Sequence, residues 1–257
     1  MKLAVAGKGG VGKTIITGTL ARLLAQDHQR VLALDADSNP NLAFSLGVSR
    51  EQLAQAAPVP SGLTEWREDA EGKAYVHLRQ PIPQFIADYG LAAPDGIQLL
   101  VMGEVLQASA GCRCEAHALA RGITGDLLTE ADVAVVDMEA GLEHLGRGTT
   151  EHVDILLIVV EPYYRALEAA SRIRELAVQL AVPQIVVAAN RVRTPQEQAA
   201  VAQYCLKHNL ELVAAIPFDE AIMEAEQHDL APIDYAPQSP AIQSIRNLAT
   251  LLYARIG

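Results

Sequence analysis

The chain has 257 residues, half of them hydrophobic and a fifth charged, with a net charge of −11 at pH 7. That is enough for one α/β unit with a sizeable core, which Val, Ile, Leu and Ala must fill because aromatics make up only 4%. The acidic balance argues against non-specific nucleic-acid binding; no run approaches the roughly 18 apolar residues of a membrane span; and three cysteines, an odd number, argue against a disulfide framework and predict a reducing cytoplasm.

Residues 3–6 read as a strand that begins almost at once, which predicts no leader ahead of it. Then comes Gly7-Lys8-Gly9-Gly10-Val11-Gly12-Lys13-Thr14, followed by a helical pattern from Ile15 onward. Strand, glycine-rich loop and helix, with the spacing G-x-x-x-x-G-K-[ST], define a phosphate-binding loop. Gly7, Gly9, Gly10 and Gly12 let the backbone turn and aim N–H groups inward, and the helix adds its positive end. The loop from Gly9 through Val11 to Ile15 is the candidate nucleotide cradle. Lys13 is placed to reach the β- and γ-phosphates, and the Thr14 hydroxyl to ligate Mg²⁺. Lys8 is the unusual residue, and it has two readings: a solvated loop lysine, or a second cation for a triphosphate. This loop resembles the deviant Walker A loop of the nitrogenase iron protein, MinD and ParA family. The resemblance implies that Lys8 reaches across a homodimer to the partner's nucleotide.

Residues 30–34 are the next buried-strand pattern, ending in Asp35-Ala36-Asp37-Ser38-Asn39-Pro40. Carboxylates at the C-terminal end of a parallel strand sit at the ligand edge of an α/β sheet. Asp35 is placed to bond a Mg²⁺-bound water and Asp37 to orient the attacking water. The competing reading is that both are turn and cap residues. In the resembled family this stretch is switch I, with the proline of D-x-D-P displaced here to Pro40. Residues 50–96, broken by prolines, read as a surface insertion on a single domain spanning 1–257; within them, 73–78 read as a strand and 80–89 as a short surface element.

After a strand at 97–102 come Cys112 and Cys114, one residue apart, just before a predicted helix at 115–129. A helix N-terminus favours the thiolate, and thiolates suit borderline metals. Two sulfurs do not fill a tetrahedral site, but a two-fold axis would collect four. A redox pair and two unligated thiols are the alternatives, and His117 is a further, weaker donor. Residues 132–136 read as a buried strand ending in Asp137-Met138-Glu139-Ala140-Gly141. This D-x-x-x-G places the Asp137 carboxylate on the Mg²⁺ shell and the Gly141 N–H near the γ-phosphate, as a switch II whose shape reports the nucleotide.

The loop at residues 7–14, the C-x-C pair and D-M-E-A-G-L-E-H-L-G-R-G-T at 137–149 together resemble the CooC-type nickel-insertion ATPases. The resemblance implies a P-loop ATPase with a mostly parallel sheet and helices on both faces. It also implies Ni²⁺ or Zn²⁺ shared between Cys112 and Cys114 of two chains, with a carbon monoxide dehydrogenase or acetyl-CoA synthase as client. Further on, apolar strands at 155–160, 185–189 and 212–216 alternate with helices at 163–180 and 195–208. The second strand ends at Asn190-Arg191-Val192-Arg193, a variant of N-K-x-R. The resemblance assigns Asn190 to the purine, with Arg191 beside it and Pro217 presenting backbone groups; a loop cap is the alternative for Asn190. Arg193 is a candidate to stack or pair near the nucleotide, and Cys205 reads as a buried, inert residue. A last helix at 240–255 carries the stripe Ile242, Ile245, Leu248 and Leu252, which suits core packing better than a MinD-type membrane anchor. The alternatives to a metallochaperone are a MinD-type positioning ATPase and a redox carrier.

Overall fold

In the computed structural model, which describes residues 1–27, 30–37, 39–55, 63–68, 74–101, 125–127, 131–138 and 153–256, the apolar runs become neighbouring strands. The described strands are β1 (Lys2–Gly7), β2 (Val31–Ala36), β3 (Thr64–Glu68), β4 (Ala74–Leu78), β5 (Leu91–Ala92), β6 (Gln98–Val101), β7 (Val133–Met138), β8 (Ile155–Val160), β9 (Gln184–Val192) and β10 (Glu211–Pro217). Eight form one sheet in the order β10-β9-β8-β1-β7-β2-β6-β5. All its pairs are parallel except β5 with β6 at one edge. The fold expected from the strand–helix alternation is the one observed.

The described helices are α1 (Lys13–Asp27), α2 (Leu42–Leu46), α3 (Arg50–Ala54), α4 (Ile82–Tyr89), α5 (Tyr164–Gln179), α6 (Pro195–Lys207), α7 (Glu220–Gln227), α8 (Pro232–Tyr235) and α9 (Pro240–Ala254). Alternation along β1 divides the core: Leu3 and Val5 face a layer built with α1 and α9, while Ala4 and Ala6 face one built with α5 and α6. With both faces covered, β2, β7 and β8 are buried throughout, so they read as continuous apolar runs rather than alternating ones. Side chains start the later helices: Thr194, Asp219 and Ser239 accept from the first-turn N–H groups of α6, α7 and α9. The α9 stripe of Ile242, Ile245, Leu248 and Leu252 is buried against the sheet and α1, so it is core, as its pattern suggested.

Three boundaries differ from the pattern reading. β9 continues through Val192, where its ladder with β10 persists, so Asn190 and Arg191 stand inside the strand end rather than beyond it. Residues 80–89 contain the amphipathic helix α4, which buries Phe85. The stretch 50–96 supplies the separate antiparallel pair β3–β4 and also β5, an edge strand of the main sheet. A buried cation ties this region to the rest. Arg22 of α1 donates to both Asp234 carboxylate oxygens at 2.8 Å, to the Leu46 carbonyl at 2.9 Å and to Asp95.

Strand order reverses beside β1, with β2 and β6 to one side and β8 to the other. A crevice at the carboxyl ends of the strands belongs at such a switch point. Gly7, Asp35, Asp137, Glu161 and Asn190 all lie at that edge.

Candidate functional site

The loop between β1 and α1 borders a cleft of 670 Å³, whose walls include Gly9, Gly12, Lys13, Thr14, Ile15 and Asp37. Gly10 and Gly12 adopt φ of +85° and +88°, where a β-carbon is strained. At Gly12 a β-carbon would also collide with the Asn190 amide. Gly9 adopts no such conformation and has open space around it, so neither the backbone nor the packing demands a glycine there. α1 starts at Lys13, so its unpaired N–H groups and dipole point at the cleft. Lys13 is only 7% exposed.

Behind the loop, Asp35 and Asp137 are held at the ends of β2 and β7, and both are buried. Asp137 accepts from the Thr17 hydroxyl at 3.2 Å and from Thr14. Burial pushes its carboxyl up to about 6, against the pull of Thr14, Lys13 and Thr17. Burial pushes Asp35 up to about 7, opposed by the Leu42 and Asp37 N–H groups and reinforced by the Asp137 and Asp37 charges. The Leu42 bond, at 2.8 Å, anchors α2 to the strand end. α2 also lies hard on α1 at Gly18, where a β-carbon would stand 2.6 Å from Ser45 Cβ. The segment between is thereby seated at the cleft, and Asp37 lines it while accepting from the Asn39 N–H at 2.9 Å.

On the other side of the loop a crevice of 30 Å³ is walled by Ile15, Asn190, Pro217, Phe218, Ile222 and Met223, among others. That volume admits about two waters. Asn190 donates from Nδ2 to the Val11 carbonyl at 2.8 Å, leaving its Oδ1 for a ligand. Arg191 has φ +56°, a left-handed conformation rare for a side chain this long. Its Nη1 donates to the Gly10 carbonyl at 3.1 Å and to Glu161 at 2.7 Å. Arg193 instead stacks on Phe218, with Cζ 3.6 Å from the ring centre.

Lys8 lies over the Tyr163 ring, Nζ 5.5 Å from its centre, rather than free in solvent. Thus Lys8, Lys13, Thr14, Asp35, Asp37, Asp137, Asn190, Arg191 and Pro217 gather along one sheet edge. Cys112, Cys114 and Gly141 lie outside the described residues. Among the described residues no group of three His, Cys, Asp or Glu is arranged to hold a metal ion, and Cys205 is a buried thiol pushed up to about 11 by burial. Two residues went unrecognised in the sequence. Thr17 lies one helical turn from Lys13, and Glu161 closes an apolar strand in the same manner as Asp35 and Asp137.

A phosphate loop on a parallel sheet, backed by buried carboxylates at the switch point, defines a P-loop ATPase with a deviant Walker A loop. Residues 2–242 match the CobQ/CobB/MinD/ParA nucleotide-binding domain, and the chain belongs to that family. It is similar to the carbon monoxide dehydrogenase accessory protein CooC of Rhodospirillum rubrum, with 41% identity over 92% of this chain and 91% of that one. It is also similar to an uncharacterised ATP-binding protein of Methanocaldococcus jannaschii, with 34% identity over 88% of each chain. Among solved structures, a ParA family ATPase of Chlorobium tepidum superposes with TM-score 0.70 at 20% identity, covering 97% of both chains. The Pyrococcus furiosus cell division ATPase MinD gives 0.68 at 21% identity, covering 98% of both. The last two share the fold, and the first bears out the CooC-type resemblance read from the motifs.

Proposed function

We propose that this ATPase is a cytoplasmic nickel chaperone that dimerises on nucleotide and metal and serves a carbon monoxide dehydrogenase or acetyl-CoA synthase. The observation that carries the reading is the 41% identity to CooC across nine-tenths of both chains. The C-x-C pair supports it: Cys112 and Cys114 of two subunits supply four thiolates for one Ni²⁺, or Zn²⁺ in its absence. The metal is cargo, and ATP turnover sets when it is held or handed on.

In this reading the backbone N–H groups of residues 9–15 cradle the phosphates, and Lys13 neutralises charge at the β- and γ-oxygens. Asn190, Arg191 and the Pro217 backbone take the purine. Asp37 orients the attacking water, Lys8 answers the partner's nucleotide, and the Gly141 N–H meets the γ-phosphate. Mg²⁺ fits the residues present. It needs only a hydroxyl and one or two carboxylates besides phosphate and water, and the buried register partners Asp35 and Asp137 stand behind the loop, Asp137 within hydrogen-bond reach of Thr14. Thr14 and Asp137 would hold it, with Asp35 acting through a water; bound there, it neutralises charge that develops on the phosphates.

The deciding experiment is size-exclusion chromatography with inline metal analysis, with and without ATP and nickel. A dimer carrying one Ni²⁺ per two chains, lost in Cys112→Ser, is the expected result. A single subunit that turns over ATP and retains the ion overturns the reading.

A further inference from the structure

Glu161 follows the last residue of β8, Val160, at the sheet edge that carries the phosphate loop. Its carboxylate accepts from Arg191 Nη1 at 2.7 Å, and that nitrogen also donates to the Gly10 carbonyl at 3.1 Å. One acid therefore braces the loop's first half through one arginine. On its other side Glu161 meets Tyr163, whose backbone N–H donates to the Glu161 carbonyl at 2.7 Å. The Tyr163 phenol is raised above its usual pKa by burial and by the Glu161 charge and hydrogen bond, with Arg191 opposing. The ring so fixed is the one that lies under Lys8. Lys8 and Arg191, the two cations flanking the loop, thus share an anchor.

We propose that Glu161 is a positioning residue that, through Tyr163 and Arg191, holds Lys8 against its own subunit. This rests on the reading of Lys8 as a donor to a partner's nucleotide only for its purpose. A lysine held at home cannot reach across, so the aromatic contact is a restraint that assembly must release. The holding itself is a property of the single subunit and is measured there.

The test is competitive amine labelling of the nucleotide-free monomer, read by peptide mass spectrometry, with buried Lys13 as internal reference. Tyr163→Leu should raise Lys8 labelling about two- to fivefold, the weight of an exposed cation–π contact. Glu161→Ala should raise it in the same direction, Tyr163→Phe, which keeps the ring but removes the phenol that meets Glu161, should match Glu161→Ala, and Lys13 should not change in any of them. Equal Lys8 labelling in the parent and Tyr163→Leu overturns the proposal, provided melting curves show both folded. Failure of the cross-subunit reading would look different: Lys8 would be protected as expected, yet Lys8→Ala would leave turnover intact.

Discussion

Asp35 and Asp137 are register partners on adjacent parallel strands, β2 and β7, and neither carboxylate is open to solvent. Both are raised, to about 7 and about 6, chiefly by burial. A carboxyl raised in the folded state is at its most stabilising below its unfolded value, and that contribution is lost as pH climbs through the folded one. For Asp137 the window runs from the ordinary carboxyl value of 3.8 up to about 6. Asp137→Asn should therefore raise the Tm of nucleotide-free protein at pH 8, by about 5 °C at the exchange of roughly 1.4 kcal/mol per pKa unit. The gain should vanish as pH falls towards 4, while ATP hydrolysis is lost at every pH. Calorimetry across pH checks it, and an unchanged Tm at pH 8 contradicts the burial argument.

Asn190 joins the crevice lined by Pro217 and Phe218 to the phosphate loop through its bond to the Val11 carbonyl. Asn190→Ala leaves that buried acceptor unpaired and opens space beside Gly12. The loss is about 1–3 kcal/mol, so ADP affinity should fall roughly tenfold or more by titration calorimetry. Inorganic pyrophosphate binding should weaken as well, because the loop itself loosens. A residue serving only the purine would leave pyrophosphate untouched.

That double duty shows where the sequence is legible and where it is not. The phosphate loop, Asp35 and Asp137 are readable because a local spacing or a strand end places them, and β2, β7 and β8 are readable because complete burial leaves no polar interruption. Asn190 was readable as a site residue, but not its bond to Val11, which joins positions 179 apart in the chain. The short helices α2 and α8 escaped notice because their order comes from distant partners: Asp35 for α2, and Arg22 for α8 through Asp234. Residues 50–96 read as an insertion because prolines hide the edge strand β5, whose pairing with β6 is tertiary.

Lys8 and Lys13 differ in burial and so should differ in what they lose. Lys8→Ala should keep ADP affinity within about twofold yet lower ATP turnover at least tenfold, whereas Lys13→Ala should lose nucleotide. Mixing the two inactive variants should restore part of the turnover, since an intact Lys8 on one chain would serve the intact cradle of the other. No recovery across a range of mixing ratios speaks against action between subunits.

Arg22 is 5% exposed and bonds Asp234, Asp95 and the Leu46 carbonyl. Arg22→Met fills similar volume but takes the cation from Asp234, Asp95 and the Leu46 carbonyl, Asp95 keeping the Gln26 amide at 3.2 Å. Breaking a buried pair from one side costs about 3–5 kcal/mol, discounted here because Asp234 is half exposed. Urea unfolding should show a loss of about 2 kcal/mol, with Asp234→Asn costing less. An effect below about 0.5 kcal/mol would reduce the cluster to decoration.

Helix α9 turns its apolar stripe into the core rather than outward. An amphipathic anchor must present its apolar face to lipid and flank it with cations. In α9 that face, Ile242, Ile245, Leu248 and Leu252, is at most 1% exposed and packs in the core beside α1. Of its two flanking arginines, Arg255 is paired with both Glu211 oxygens. Exposing the stripe would strip the sheet of one cover, at about 1.5–3 kcal/mol for each large side chain, more than a short helix recovers at a lipid surface. Co-sedimentation with anionic vesicles should therefore show no ATP-dependent binding, and Ile245→Asp should unfold the protein rather than release it from lipid. Vesicle capture that depends on ATP and is abolished by Ile245→Asp without loss of fold would move this chain to the positioning class.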